Sequence, residues 1–192
     1  MKRVLLVPTC SGGCSVVIDQ FKNAGVVRFF PKGSLLFRQG DKVGNLFFIQ
    51  TGLVKAYYET IDGKEFIKSF VGEGEFIASM QAVVADSTCS FSVLSLEASQ
   101  VLEVPQQALL DLVSCDAEAA WSVNKMLLAL SMKKERREYE LLCMSPEARY
   151  LAFCEREFEL IERLSQNDIA KYLGITPVAL SRIRKRLGLQ RA

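Results

Sequence analysis

Short apolar runs separated by glycine-containing turns dominate residues 29–104. Some of these runs alternate in polarity, so that Val54 and Ala56 fall on one face of a strand and Lys55 falls on the other. Short strands at about 8–12-residue spacing, with turn signals between them, predict a β-sandwich or β-barrel. Asp62-Gly63 lies between two runs and predicts a β-hairpin. The predicted strands are Leu35–Phe37, Leu46–Ile49, Leu53–Tyr58, Phe66–Val71, Phe91–Leu96 and Val101–Val104.

Beyond Pro105 the periodicity becomes helical. A short helix is expected over residues 105–112, and a long one is predicted from about Asp116 to Leu142. The long helix is apolar on more than one side, and a helix with two apolar faces needs two partners. We expect these to be its own β-domain and the same helix of a second subunit, which predicts a homodimer. The predicted dimer seam, with apolar residues three and four positions apart, is Ala120, Val123, Leu127 and Leu130.

A domain boundary is predicted where the long helix ends. Ser145 suits a helix N-cap, and Pro146 suits the first position of a new helix. The chain therefore divides into a β-domain of residues 1–115, a dimerisation helix of residues 116–143 and a C-terminal domain of residues 144–192.

Two short helices joined by a tight turn are predicted in the C-terminal domain. The first begins at Ser165, with Asp168 three positions later as in a capping box, and it ends at Gly174. The second begins at Thr176, and Pro177 occupies its first turn. Such a pair forms a helix-turn-helix, whose second helix enters the major groove of DNA. The alternative is a packed helical hairpin with a basic surface.

The outer face of the second helix carries side chains suited to nucleic acid. An arginine there can donate two hydrogen bonds to guanine, and a valine can contact a thymine methyl group. Base contacts are predicted for Pro177, Val178, Ser181 and Arg182. Phosphate contacts are predicted for Ser165, Gln166, Thr176, Arg184 and Lys185.

Composition and charge narrow the class of function. The chain has no histidine, which excludes Ser-His and Cys-His catalytic pairs and histidine-ligated haem. No catalytic residue or metal-ligand cluster is predicted, so an enzyme is not expected. From Lys171 onward every charged residue is basic, which favours contact with a polyanion. The apolar run after Lys2-Arg3 is too short for a signal peptide, and no run could span a membrane, so we expect a cytoplasmic protein without membrane contact.

Three segments resemble the Crp/Fnr family of transcriptional regulators. Residues 30–41 and 48–55 are similar to the family's cyclic-nucleotide-binding-type β-roll. Ile175–Arg184 resembles its recognition helix, and Arg182 falls where the family has a guanine-contacting arginine. The resemblance implies an α+β fold with an N-terminal double-stranded β-helix (a jelly-roll-like β-roll), a long dimerisation helix and a winged-helix-type helix-turn-helix whose wing is short or missing. It also implies a homodimer on an inverted repeat of double-stranded DNA, an unknown small-molecule effector, and RNA polymerase as a candidate partner.

The candidate effector pocket departs from the family pattern. Cyclic-AMP-responsive members hold the ribose with a Gly-Glu-Leu segment and neutralise the phosphate with an arginine about ten residues later. No lysine or arginine lies between Lys68 and Lys125 here. Because a buried phosphate without a cationic partner is costly, we expect no binding of cyclic AMP in the usual way, but a less anionic ligand or none. The candidate pocket residues are Phe76, Ala78, Ser79, Met80, Cys89 and Ser90.

Two cysteines near the N-terminus, Cys10 and Cys14, suggest a second sensor. Fnr-type members hold an iron–sulfur cluster with N-terminal cysteines and one distant cysteine, and a four-iron cluster needs about four thiolates. The distant position here corresponds to Leu102, so no cluster, and no cofactor of any kind, is predicted. A reversible redox switch and ordinary reduced thiols stay open, as does a ligand- or redox-sensing module whose helix-turn-helix contacts proteins only. Cys143 and Cys154 are predicted to be small packed hydrophobic residues.

Overall fold

A computed structural model of the chain describes residues 21–189. In that range, eight strands form two four-stranded sheets in which every paired neighbour is antiparallel. The strands are β1 (Val26–Phe30), β2 (Leu35–Phe37), β3 (Leu46–Thr51), β4 (Val54–Glu59), β5 (Glu65–Val71), β6 (Phe76–Ile77), β7 (Ser92–Ser95) and β8 (Ser99–Val104). One sheet has the order β1-β8-β3-β6 and the other β2-β7-β4-β5.

Most helices follow the sheets; residues 21–24 precede β1, and one short helix is inserted before β7. The helices are α1 (Met80–Ala85), α2 (Gln106–Cys115), α3 (Ala117–Cys143), α4 (Pro146–Arg156), α5 (Phe158–Ile161), α6 (Gln166–Leu173) and α7 (Pro177–Arg186); residues 21–24 are helical too. The predicted α+β fold is confirmed. None of the described helices is both long and hydrophobic enough to traverse a bilayer.

The predicted strands are all present, with ends that differ by one or two residues, and the hairpin at Asp62-Gly63 joins β4 to β5. The sequence pattern did not indicate β1 or β6. β1 is an edge strand whose residues are exposed or half-buried, so it lacks the alternation that marks the others. β6 is only two residues long, too short to give a pattern.

The two sheets enclose an aromatic and aliphatic core. Phe37 lies near its centre, with ring centroids 5.6 Å from Phe47 and 5.5 Å from Phe91. The inward positions of β4 belong to this core, since Val54 and Ala56 are fully buried as the alternation predicts. Burial of this apolar surface is the main stabilising contribution to the β-roll.

The long helix α3 begins at Asp116, whose carboxylate accepts from the backbone N–H groups of Glu118 and Ala119 at 2.9 and 3.1 Å. Its bounds match the predicted 116–142 to within one residue. One side packs on the β-roll through Ala119, which is buried, and Val123, so that Val123, predicted to lie in the dimer seam, packs against its own domain. At the other end, the Arg149 guanidinium donates to the carbonyl oxygens of Leu141 and Met144 at 3.3 and 2.8 Å, which satisfies acceptors that the helix leaves unpaired.

Gly52, in the turn between β3 and β4, is predicted to be intolerant of a side chain. It has φ +99°, and a Cβ built there would lie 2.3 Å from the Oγ of Ser99 and 2.8 Å from its backbone Cα. We expect Gly52→Ala to lower the free energy of unfolding by about 2–4 kcal/mol, from left-handed strain plus overpacking. Urea unfolding followed by circular dichroism measures this.

Gly63→Ala is the matched control. Gly63 also has a positive φ, +74°, but a Cβ there would meet nothing within 4 Å. Its cost should be the backbone term alone, about 1–2 kcal/mol. Equal losses in the two variants would contradict the assignment of steric conflict at Ser99.

Candidate nucleic-acid interface and effector pocket

The first helix of the predicted helix-turn-helix is α6. The Ser165 hydroxyl accepts from the backbone N–H of Asp168 at 3.0 Å, so Ser165 caps the helix as the sequence predicts. Gly174 adopts φ +69° at the other end, and the backbone N–H of Ile175 donates to Ala170 O at 3.0 Å. This left-handed glycine lets the chain turn sharply into the second helix.

The second helix, α7, is capped by Thr176, whose hydroxyl accepts from the backbone N–H of Ala179 at 3.1 Å. Leu180 and Ile183 are buried against α6 and its neighbours. Because these two residues fix which side of α7 faces inward, the opposite side is free to contact another molecule.

The four predicted base-contacting residues lie together on that free side. Pro177, Ser181 and Arg182 are exposed, and Val178 is 61% exposed. Within residues 21–189, Arg182 forms no ion pair, so its guanidinium is available to an acceptor. The surface therefore offers one apolar contact, one hydroxyl and one forked cation, the combination that base edges can bind.

The predicted phosphate-contacting residues differ in availability. Ser165, Gln166, Thr176 and Lys185 are exposed, although the two hydroxyl groups also serve as helix caps. Arg184 is half-buried, and its Nη2 donates to Leu189 O at 2.9 Å. Of the two predicted cations, Lys185 is thus better placed to contact a phosphate.

The candidate effector residues are only partly brought together. Ser79 and Ser90 meet, since the backbone N–H of Ser90 donates to Ser79 Oγ at 3.4 Å. Cys89 is buried, and its backbone N–H donates to Asp41 O at 2.8 Å. Ala78 and Met80, on either side of Ser79, are half-buried.

The assignment of Phe76 to that pocket is wrong. Its ring packs outside the β-roll, with centroids 4.7 Å from Phe48 and 6.0 Å from Phe21. In a strand, neighbouring side chains point to opposite faces, so Ile77 enters the interior while Phe76 packs under the helices.

Lys68 is a cation in this region that sequence analysis missed. The register of β4 with β5 shifts at this point, which places Lys68 at a β-bulge, and a bulge can redirect a side chain. Its Nζ lies 4.5 Å from the ring centroid of Phe91, next in sequence to Ser90. Burial, together with the charges of Lys134 and Lys133 on α3, lowers the pKa of Lys68 to about 8.

The cysteines give a mixed outcome. The prediction for Cys143 is wrong, because that residue is exposed at the last turn of α3. Cys154 is half-buried beside the core, and burial raises the pKa of its thiol. Cys10 and Cys14 lie outside the described residues. Within residues 21–189, no group of three or more Cys, Asp or Glu side chains is arranged to hold a metal ion.

Comparison with known proteins identifies the family. Residues 27–116 match the cyclic nucleotide-binding domain. The chain is 31% identical over 180 residues to the transcriptional activator protein anr of Pseudomonas aeruginosa, covering 86% of this chain and 71% of that protein. It is 32% identical over 165 residues to the fumarate and nitrate reduction regulatory protein of Vibrio cholerae, covering 79% of this chain. The chain belongs to the Crp/Fnr family of transcriptional regulators. It spans 64% of the length of the Vibrio cholerae relative.

Solved structures of Crp/Fnr regulators share this fold. The global regulator CLP of Xanthomonas campestris, described as c-di-GMP responsive, superposes with a TM-score of 0.76 at 22% identity, covering 93% of this chain and 95% of that one. FixK2 of Bradyrhizobium japonicum gives a TM-score of 0.72 at 19% identity, with 85% and 84% covered. At these low sequence identities, the two comparisons show a shared fold.

Lys68 is predicted to destabilise the folded protein at neutral pH. Because its pKa is lower in the folded chain than its ordinary 10.5, the folded state binds fewer protons between pH 8 and 10.5, and stability from this group rises with pH there. Lys68→Met should raise Tm at pH 7, and the gain should shrink towards zero near pH 10.

Thermal unfolding at several pH values measures this gain. Lys64→Met, at an exposed lysine of the β4–β5 hairpin, is the control and should change Tm little at any pH. A gain for Lys68→Met that is independent of pH would contradict the lowered pKa.

Proposed function

We propose that this chain is a sequence-specific DNA-binding regulator that acts as a homodimer on an inverted-repeat operator. The observation that carries the proposal is the free face of α7, which presents Val178, Ser181 and Arg182 together while Leu180 and Ile183 anchor the helix. A helix held in this way can enter the major groove with its N-terminal half against the base edges.

The surface of α3 supports the homodimer. Trp121, Leu128 and Met132 are each more than half exposed, and the seam residues Leu127 and Leu130 are also exposed. A run of large apolar side chains along one long helix is typical of a subunit interface rather than of a solvated surface. We therefore assign these exposed side chains, which lie on more than one side of α3, to an interface with a second copy in which the same helix takes part.

Two-fold symmetry then sets the form of the operator. In a dimer of this kind, two recognition helices are related by a two-fold axis and bind half-sites about 34 Å apart. The half-sites must be inverted repeats of one another, because each subunit presents the same side chains.

The β-roll is proposed as the sensor domain, without the contacts that hold cyclic AMP in responsive members of the family. Ser79, Cys89 and Ser90 occupy the region expected for those contacts, and none of them carries a positive charge. Lys68 is the basic residue of β5, and burial already disfavours its charge.

Arg182→Ala tests the base contact. Binding should fall by about 10–100-fold on operators that keep the guanine contacted by Arg182, and much less on operators that lack it. Selection of bound duplexes from a random pool gives the operator, and gel-shift titration measures the loss.

Lys185→Ala is the matched control for a phosphate contact. It should weaken binding to all sequences equally and reduce the slope of log affinity against log salt by about 1. Uniform loss on every sequence for Arg182→Ala would instead place Arg182 on the phosphate backbone. A wild-type protein that selects no sequence would contradict the proposed function.

Cyclic AMP is predicted not to stabilise the protein. Because none of the predicted pocket residues carries a positive charge, and burial disfavours the charge of nearby Lys68, we expect no saturable change in Tm on titration with cyclic AMP. Differential scanning fluorimetry of the wild type and of Lys68→Met measures this. A saturable rise that Lys68→Met abolishes would overturn the prediction and identify Lys68 as the phosphate-binding cation.

A further inference from the structure

The helix-turn-helix packs on the β-roll of its own chain through a shared apolar cluster. Phe70 of β5 lies 5.4 Å from Tyr172 of α6, measured between ring centroids, and Tyr172 lies 5.1 Å from Phe153 of α4. Leu53 and Ile67 of the β-roll are buried in the same cluster. The outer face of the β4–β5 sheet is therefore covered by the DNA-binding part of the chain.

A charged cluster lies beside these rings. Lys55 Nζ of β4 is 3.1 Å from Asp168 Oδ1 of α6 and 3.5 Å from Glu65 Oε2 of β5. Lys171 of α6 pairs with the same Glu65 carboxylate. We refer to Lys55, Glu65, Asp168 and Lys171 as the interdomain ion cluster. Its central pair is nearly excluded from solvent, since the Lys55 and Asp168 side chains are 10% and 13% exposed.

Asp168 links the cluster directly to the DNA-binding motif. Its Oδ2 accepts from the Ser165 hydroxyl, while its backbone N–H donates to Ser165 Oγ at 3.0 Å. One carboxylate thus holds the N-terminus of α6 with one oxygen and the β-roll with the other. Desolvation offsets much of the attraction in a buried ion pair of this kind, but a displacement that separates the partners would leave a buried charge unpaired, which is costly.

A second contact limits rotation about the first. Arg163 Nη2 lies 2.6 Å from Glu97 Oε2, and Arg163 Nη1 lies 3.0 Å from Glu73 Oε2. Both carboxylates belong to the β-roll: Glu97 lies just before β8, and Glu73 lies between β5 and β6. Hydrogen bonds to Arg163 lower the pKa of Glu73 to about 2, so this pairing persists through the neutral range.

The docked arrangement leaves the recognition surface free. Val178 and Arg182 stay exposed while the opposite side of the helix-turn-helix is bound to the β-roll. Docking therefore orients α7 without blocking it. In a two-fold dimer, the separation of the two α7 helices would then be set by where each β-roll holds its own helix-turn-helix.

We propose that the interdomain ion cluster consists of positioning residues for operator binding, which fix the separation of the two recognition helices and so the half-site spacing. The inference rests on the proposed function, because half-site spacing has meaning only for a DNA-binding dimer. The residues contact no base. They act through the placement of α7.

The experiment measures affinity on one selected operator and on versions whose spacer is changed by one or two base pairs. Each added base pair shifts and rotates one half-site relative to the other, so wild-type affinity should fall by about tenfold or more per step. Lys55→Met removes the central charge and keeps a long apolar side chain. The variant should reduce the loss of affinity per added or removed base pair to about threefold or less. Each half-site should still require its own base sequence.

Two further variants keep the test decisive. Lys171→Ala removes only the pair between Lys171, a half-buried side chain, and Glu65, so it replaces Lys55→Met if that variant does not fold. It should also weaken the discrimination between operator spacings. Lys64→Met breaks an exposed pair with Asp62 on the neighbouring hairpin and should leave spacing preference unchanged.

The outcomes separate the two proposals. A purely structural role would lower affinity equally at all spacings, and that result in Lys55→Met and Lys171→Ala would overturn the positioning role. Unchanged discrimination in both variants would overturn it too, while the proposed function stands. If the wild type selects no operator, both proposals fail together.

Discussion

The packing of Tyr172 between Phe70 and Phe153 is the contact on which the arrangement of the whole chain depends. Two short helices such as α6 and α7 bury too little apolar surface to be stable alone, since most helical stability comes from tertiary packing. Here α4 supplies one wall of their core and the outer face of the β4–β5 sheet supplies another. The β-roll and the helix-turn-helix therefore share one core, and a change in either one reaches the other through direct contact.

Contacts at the C-terminal end of α3 stabilise that arrangement. Glu140 is buried and pairs with Arg156 of α4 at 2.6 Å. The Arg149 guanidinium donates hydrogen bonds to the last carbonyl oxygens of the helix. Arg137 lies 3.8 Å from the ring centroid of Tyr172 and donates to the Tyr172 carbonyl oxygen. Arg137 thus ties the long helix to α6 of the helix-turn-helix, while Arg149 and Arg156 tie it to α4. In the proposed homodimer, a displacement of α3 would be transmitted by these contacts to α4 and α6, and through their shared core to α7, the kind of coupling that the proposed sensor function requires.

The β-roll combines an architecture that the family shares with one lysine in an electrostatically unfavourable position. A lysine that is desolvated beside Phe91 and lies within the influence of two other lysines costs stability. A β-bulge at Lys68 directs it there. Costly polar groups of this kind are concentrated at functional positions, and this one lies against Phe91, which follows Ser90 of the candidate effector region in the sequence.

Local signals in the sequence determined the elements and most of the candidate interface. The caps at Ser165 and Thr176 and the turn at Gly174 were predictable because each depends on neighbours within a few residues along the chain. The same holds for the hairpin at Asp62-Gly63 and for the outer face of α7, whose side chains follow from helical periodicity. The errors at Phe76 and Cys143 arose where a residue's surroundings come from distant segments.

Only the tertiary structure decided what covers the outer face of β4. Polarity alternation correctly placed Lys55 opposite Val54 and Ala56, and such a position on a lone β-domain would face water. Instead it pairs with Asp168, 113 residues further along the chain. A strand's alternation specifies that it has two faces, but the occupant of each face depends on how domains dock. That choice is made by the combined fit of Phe70, Tyr172 and the charges around them.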